Sequence, residues 1–155
     1  MQISIREDDL TGPEIAALIG KHLEHGAAHS PPESVHALDV AALKTPDVTF
    51  WTAWDGPDLL GCGALKQLDA RHGELKSMHT AERSRGRGVG ARILTHIVDQ
   101  ARQRGYDRLS LETGSVEAFA PARALYARFG FEYCAPFNGY REDPYSVYMT
   151  LDLTA

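Results

Sequence analysis

The chain is short of cysteine, of long apolar runs and of positive charge, and each shortage removes a class of function. Cys62 and Cys134 are its only cysteines and belong to no ligand-spaced cluster, so a disulfide scaffold and a thiolate metal site are excluded and two reduced thiols are expected. No apolar run approaches the roughly 20 residues that span a bilayer. The opening MQISIRED has no secretory-leader pattern, so a cytoplasmic chain with no membrane partner is expected. The net charge of −5 argues against non-specific binding of nucleic acid. There is no H-E-x-x-H, no Gly-Lys-Ser/Thr after a glycine loop, no repeat and no linker. What remains is one ordinary globular domain over residues 1–155, long enough for a sizeable core.

Against that acidic background stands a local basic stretch, Arg85-Gly86-Arg87-Gly88-Val89-Gly90. Glycines let successive backbone N–H groups converge without side chains in the way. The amphipathic pattern that follows, Val89, Ile93, Leu94, Ile97 and Ala101, predicts a helix whose N-terminal N–H groups and dipole add to the site. Such a loop binds phosphate or pyrophosphate.

Around this loop the periodicity predicts the order βααβββαβαββ. Ile3 and Ile5 mark a first strand, and Thr11-Gly12-Pro13-Glu14 reads as a capping box opening a helix through Leu23. Ser30-Pro31-Pro32-Glu33 predicts a second helix ending near Thr45-Pro46. Residues 48–54, 59–68 and 74–80 form an antiparallel meander. Beyond the glycine-loop helix, which Gly105 ends, come strand 108–113, a helix from Phe119 to Phe129, and strands 131–136 and 145–153.

Arg85-x-x-Gly88-x-Gly90 after the third meander strand, followed by Ala124-Leu125-Tyr126-Ala127-Arg128-Phe129-Gly130-Phe131, resembles the GNAT superfamily of acetyl-CoA-dependent N-acetyltransferases, in motif order and in element order along essentially the whole chain. The resemblance implies an α/β (α+β) domain with a mixed, mostly antiparallel sheet of about seven strands and four helices, splayed between the fourth and fifth strands. It implies acetyl-CoA as co-substrate, with the pyrophosphate on Gly86, Arg87, Gly88, Val89 and Gly90. Arg85 would contact phosphate or brace the loop, and the pantetheine arm would pair with the backbone of Met78 and Thr80. An interior strand edge must find partners, and the cofactor amides supply them.

The implied reaction is direct attack of a primary amine on the thioester in a ternary complex. A backbone N–H near Met78 would polarise the carbonyl. Tyr126 is the family-matched general acid, and Glu74, at the head of the third meander strand, the candidate base. Glu112 is held in reserve, at what reads as a solvated strand end. Where many members of the family carry Asn, seven residues before the Tyr, this chain has Phe119, so that part of the cofactor wall is built differently.

His22, His25 and His29 share a helical face, read as a polar or solvent-exposed face and not as a metal site. In the family the first helices and the loop between the last strands shape the acceptor site, which here offers His29, Glu33, His36, Tyr140, Arg141 and Glu142. Trp51 and Trp54 read as core. The acceptor is expected to be a small-molecule or peptide amine, and the family's habit of pairing its last strands adds a homodimer to the expectations.

Two rivals are weighed. Gly86-x-Gly88-x-x-Ala91 fits a dinucleotide fingerprint, but the polar run 79–85 before it is no buried strand. The other is a module of the same shape that binds acyl-CoA as a sensor without catalysis; the intact Tyr126 and glycine loop argue against it.

Overall fold

The computed structural model describes residues 2–154. Strand β1 (Ser4–Glu7), helix α1 (Pro13–His29) and the four-residue helix α2 (Val40–Leu43) precede a meander of β2 (Val48–Asp55), β3 (Asp58–Asp69) and β4 (His72–Thr80). Helix α3 (Val89–Gln103), β5 (Arg108–Gly114), α4 (Ala120–Arg128), β6 (Glu132–Cys134) and β7 (Ser146–Asp152) follow. The strands make one sheet in the order β1-β2-β3-β4-β5-β7-β6, antiparallel throughout except for the parallel β4/β5 contact. The expected mixed seven-stranded sheet with four helices is thus observed. No helix among the described residues is long and apolar enough to cross a membrane.

Two expectations at the N-terminal end are corrected. The capping box does not form: Gly12 is the N-cap without a side-chain bond, and the Thr11 hydroxyl donates to Asp9 instead. Pro13 at the first position and the buried stripe Ile15, Leu18 and Ile19 are what α1 rests on, and it runs past Gly26 to His29. The single helix expected from Ser30 to Thr45 is broken into a turn at Pro32–Ser34, an extended stretch and α2. Two side chains account for the break. Ser34 Oγ donates to Asp143 across the molecule at 2.5 Å, and Asp39 accepts from Ala42 N–H at 2.8 Å, restarting the helix there.

Hydrophobic residues cover both faces of the sheet. On one face α3 packs Val89, Ile93, Leu94, Ile97, Val98 and Ala101 with Leu65, Leu75, Leu109 and Met149. On the other, α1 and Leu43 of α2 cover Phe50, Trp54, Cys62 and Ala64. Trp51 and Trp54 are buried, as expected of core residues.

Helix α3 lies unusually close to β3 because β3 has no side chain there. A Cβ on Gly63 would stand 2.8 Å from Ile97 Cδ1 and 2.8 Å from Met78 Sδ. That approach sets the N-terminus of α3 against the end of β4. Cys62 pairs with His79 and Ala64 with Lys76, so Ser77 and Met78 bulge opposite Gly63, with Ser77 at φ 56°.

Before the bulge is reached the sheet opens. Strands β4 and β5 pair only at His72/Arg108, Gly73/Leu109 and Glu74/Ser110, after which they diverge. Strand β5 stays paired with β7 to Gly114, and β4 stays paired with β3 to Thr80. The result is a V-shaped cleft with one open strand edge on each wall, as expected between the fourth and fifth strands.

Replacing Gly63 by Val should overpack the α3/β3 contact and cost about 1–3 kcal/mol. A urea titration would register this as a lower midpoint with an unchanged slope; an unchanged midpoint would mean that the close approach is not required.

Candidate active site

The cleft holds a cavity of about 630 Å³ whose lining includes Met78, Thr80, Arg85, Gly86, Gly88 and Tyr126. At its mouth the chain passes through the turn Glu82–Ser84 into the glycine loop. Gly86 and Gly88 have φ of 77° and 79°, a left-handed geometry that side chains resist. A Cβ on either would meet nothing within 4 Å, so the space above the loop is open. Among the described residues, the N–H groups from Gly86 to Ala91 donate to no protein acceptor. A row of free donors at the start of a 15-residue helix suits a pyrophosphate. Val89 and Gly90 line the same cavity, whereas Arg87 is exposed and stands apart from its lining.

Deeper in the cleft, Ser77 adds a buried hydroxyl with no hydrogen-bond partner among the described residues. Tyr126 reaches the same cavity from α4, its ring against Phe131 and 6 % exposed. Burial, with the Glu112 carboxylate nearby, pushes its phenol well above the ordinary range, so it stands protonated at neutral pH.

Glu112 is not the solvated strand end that the sequence suggested. It lies on β5 just beyond the last β4/β5 pair and lines the cleft with Tyr126. Its Oε2 accepts from Ser146 Oγ at 2.9 Å, and burial raises its pKa above the usual carboxylate value. The sequence hid this because β7, which supplies Ser146, is remote in the chain.

Glu74 is 2 % exposed and opens onto a second cavity of about 580 Å³. Its Oε2 accepts from Tyr140 Oη at 2.6 Å and from Lys76 Nζ at 3.2 Å, and Lys76 also donates to Tyr140 Oη at 3.0 Å. Glu33, His36, Arg141 and Glu142 line this cavity too. His36 packs edge-on against Tyr140, with its pKa lowered first by burial and then by Lys76. Lys76 and His36 line both cavities, so the two spaces meet there. Of the six acceptor-site candidates, Glu33, His36, Tyr140, Arg141 and Glu142 come together; His29 is exposed and lines neither cavity.

Phe119 closes the outer wall. Its ring sits over Gly114, where a Cβ would fall 2.0 Å from Cδ2, and makes edge contacts with His25 and His29 of α1. Arg123 braces this turn by donating to Gly114 O and Val116 O at 2.7 and 2.9 Å. The helical face of histidines is therefore only partly solvated. His22 turns inward, its Nδ1 lying 3.1 Å from Nδ1 of His79 on β4. Burial and the neighbouring charges lower both to a pKa of about 4. Each is neutral at pH 7, so one can donate to the other.

Sequence reasoning missed Lys76, Ser77, His79, Ser34 and Asp143. Lys76 carried a signal, since two residues beyond Glu74 in a strand is the same face. The others depend on the bulge or on contacts between distant segments.

Comparison with known proteins places this geometry. The sequence profile of the acetyltransferase (GNAT) family matches residues 17–131. The chain is 54 % identical to YsnE of Bacillus subtilis, named an uncharacterized N-acetyltransferase, over 96 % of this chain and 99 % of that one. A crystal structure from Klebsiella pneumoniae, described in the acyl-CoA N-acyltransferase class, superposes with a TM-score of 0.80 at 28 % identity, over 98 % of both chains. A GNAT family acetyltransferase from Elizabethkingia anophelis with acetyl-CoA bound shares the fold, with a TM-score of 0.71 at 17 % identity over 97 % of both chains.

The histidine pair makes stability depend on pH. Its folded pKa values lie below the ordinary 6.5, so between pH 6.5 and about 4 the unfolded chain binds more protons and stability falls as pH falls. A His79→Asn variant should lose less stability than the parent over that interval in paired urea titrations. Parallel losses would show that the pair does not carry the effect.

Proposed function

The chain belongs to the GNAT family of acetyltransferases, and from that premise we propose that it transfers the acetyl group of acetyl-CoA directly to a primary amine bound in the second cavity. The observation that carries this reading is the sharing of one cleft by three features. These are the free N–H groups of the loop, the open edge of β4 and the buried phenol of Tyr126. The N–H groups of Gly86 to Ala91 would hold the pyrophosphate, with Arg85 adding attraction, and the β4 edge from Met78 to Thr80 would pair with the pantetheine amides. Phe119, in place of the family's usual Asn, covers the arm with an apolar surface.

The amine nitrogen attacks the thioester carbonyl carbon, forming the C–N bond. Backbone N–H at the Ser77–Met78 bulge stabilises the negative oxygen that results. The C–S bond then breaks, and Tyr126 gives its proton to the departing thiolate. The amine's own proton goes to a carboxylate. Glu74 is engaged by Tyr140 and Lys76 in the second cavity, whereas Glu112 shares the cleft with Tyr126 and has a raised pKa. We therefore assign the proton to Glu112 and give Glu74 the role of holding Tyr140 and Lys76 in place. Exchange with water returns Tyr126 and Glu112 to their starting states. No covalent enzyme intermediate is invoked, since Cys62 is buried in the core and Cys134 lies on β6, away from the cleft lining.

Calorimetric titration with acetyl-CoA, with NADH as control, tests the premise; binding of acetyl-CoA alone is expected, and no binding would end the enzyme reading. A Gly88→Val variant should keep its far-ultraviolet spectrum and lose acetyl-CoA binding; retained affinity would remove the pyrophosphate from this loop. Tyr126→Phe should keep acetyl-CoA affinity while turnover, read as released CoA, falls about 10²-fold or more. Unaffected turnover would sink the general-acid role. Acetyl-CoA binding without turnover of any amine would favour the sensor module.

A further inference from the structure

We infer that His36 is a second proton acceptor for the transfer reaction. At the junction of the two cavities it takes a proton from the acceptor's ammonium group before attack, and it releases that proton to water in the second cavity. The inference rests on the acetyl-transfer reading above and adds a step to it.

The need for a second acceptor follows from counting protons. A primary alkylamine at neutral pH is an ammonium ion, with no lone pair to attack a thioester. Its nitrogen gives up two protons on the way to an amide. One leaves before attack, and the other leaves as the C–N bond forms. The departing thiolate consumes one proton, which Tyr126 supplies. One proton is therefore surplus and must reach solvent. Glu112 receives the proton released on C–N bond formation, so it is not free to hold the first one as well.

Position selects the group. Among the described residues, His36 and Lys76 line both cavities. Lys76 donates to Glu74 and Tyr140 in an ion pair and has no lone pair to offer. His36 is half-buried and packs edge-on against Tyr140, with ring centroids 4.9 Å apart. Its ring nitrogens bond to no protein group among the described residues. The other histidines of the cleft fit less well. His22 and His79 are bonded to each other, and with His25 they line the cleft without reaching the second cavity.

The charges around His36 suit a proton that arrives and then leaves. Burial lowers its pKa below the ordinary 6.5, and Lys76 on β4 adds to this, so the ring is neutral at pH 7 and can accept. Asp143 and Glu74 act in the opposite sense and stabilise the imidazolium once it forms. Asp143 is held in place by two neutral donors, Ser34 Oγ at 2.5 Å and Tyr145 N–H at 2.8 Å, and keeps its negative charge. Lys76 also repels an incoming ammonium at the junction, which makes that ammonium a stronger acid. In the step itself an N–H bond of the ammonium breaks and its electron pair stays on nitrogen. The proton bonds to a ring nitrogen of His36, and the imidazolium passes it to water.

The pH profile of kcat/KM tests this with the full chain, saturating acetyl-CoA and free CoA as readout. The probes are primary alkylamines from ethylamine to 2-phenylethylamine. A base that works on the ammonium makes the parent profile level off above about pH 6.5. His36→Asn should lose about 10²-fold at pH 7 and then climb about tenfold per pH unit to about pH 9, since it depends on amine that is already neutral. Its loss with 2,2,2-trifluoroethylamine, an acceptor mostly neutral at pH 7, should be at least about tenfold smaller than with ethylamine. Asp143→Asn should keep the plateau and move its acidic edge to lower pH, because the charge that raises the His36 pKa is gone. A parent profile that climbs like the variant's, equal losses with the two ethylamines, or an unmoved edge would each overturn the inference. Should His36→Asn fail to bind acetyl-CoA, the edge in Asp143→Asn decides. A parent chain that binds acetyl-CoA and turns over no amine would instead overturn the transfer reading beneath.

Discussion

The parting of β4 from β5 is the constraint on which the rest of this structure depends. Two adjacent strands inside a sheet would ordinarily pair along their length, because a buried N–H or C=O without a partner is costly. Here they pair at three positions and then diverge. The bulge at Ser77 and Met78 turns β4, and α3, seated on the bare surface of Gly61 and Gly63, holds the turned end in place. The open edges are tolerable because a molecule with its own amides can occupy them. The fold therefore carries an unsatisfied hydrogen-bonding surface, which in the proposed function is where the co-substrate binds.

The same divergence explains why the polar groups of the site fall into two sets. Below the fork, Glu74, Lys76 and Tyr140 form a closed cluster with short contacts and little exposure. A buried ion pair is weak evidence for stability, since desolvation offsets much of the attraction. Its better-supported use is to specify an arrangement, and here it fixes the loop between β6 and β7 over the floor of the second cavity. Ser34 and Asp143 add a second tie from the other side. Above the fork, Tyr126, Glu112 and Ser77 are less committed, with Ser77 Oγ unpaired and the Tyr126 hydroxyl bonded to no protein group among the described residues. Groups held in reserve belong where bonds change; groups bonded to one another belong where shape must be kept.

The outer wall shows how one departure from a family pattern is absorbed. Phe119 cannot offer the amide of Asn, and its ring needs room that only a glycine at position 114 leaves. Once seated, it reaches His25 and His29 on α1, so the two arms of the V touch through aromatic edges. Farther in, the neutral His22 and His79 pair joins α1 to β4 without placing a charge beside the cleft. Both contacts fix α1 relative to the sheet by side chains, where the helix has no backbone pairing to rely on.

How much of this was legible follows from the range over which each feature is decided. The glycine loop and its helix could be read directly, because the φ values of Gly86 and Gly88 and the stripe from Val89 to Ala101 are properties of contiguous residues. The late helix with Tyr126 and the meander followed from periodicity and turn signals, and the V between the fourth and fifth strands from the family resemblance. The second helix misled, because Pro32 and Glu33 signal a helix start locally while Asp39 and the distant Asp143 decide where helix forms. Glu112 and Glu74 exchanged environments for a similar reason. Burial is conferred by Ser146 and Tyr140, which reach them only when β7 and its preceding loop fold back. Local conformation, including the glycine loop with its free N–H groups, was thus determined by the sequence itself, through backbone preference and periodicity. Which carboxylate faces the cleft and which is locked beneath it was decided by tertiary structure, because desolvation and hydrogen bonding there depend on residues that the chain separates by up to 66 positions.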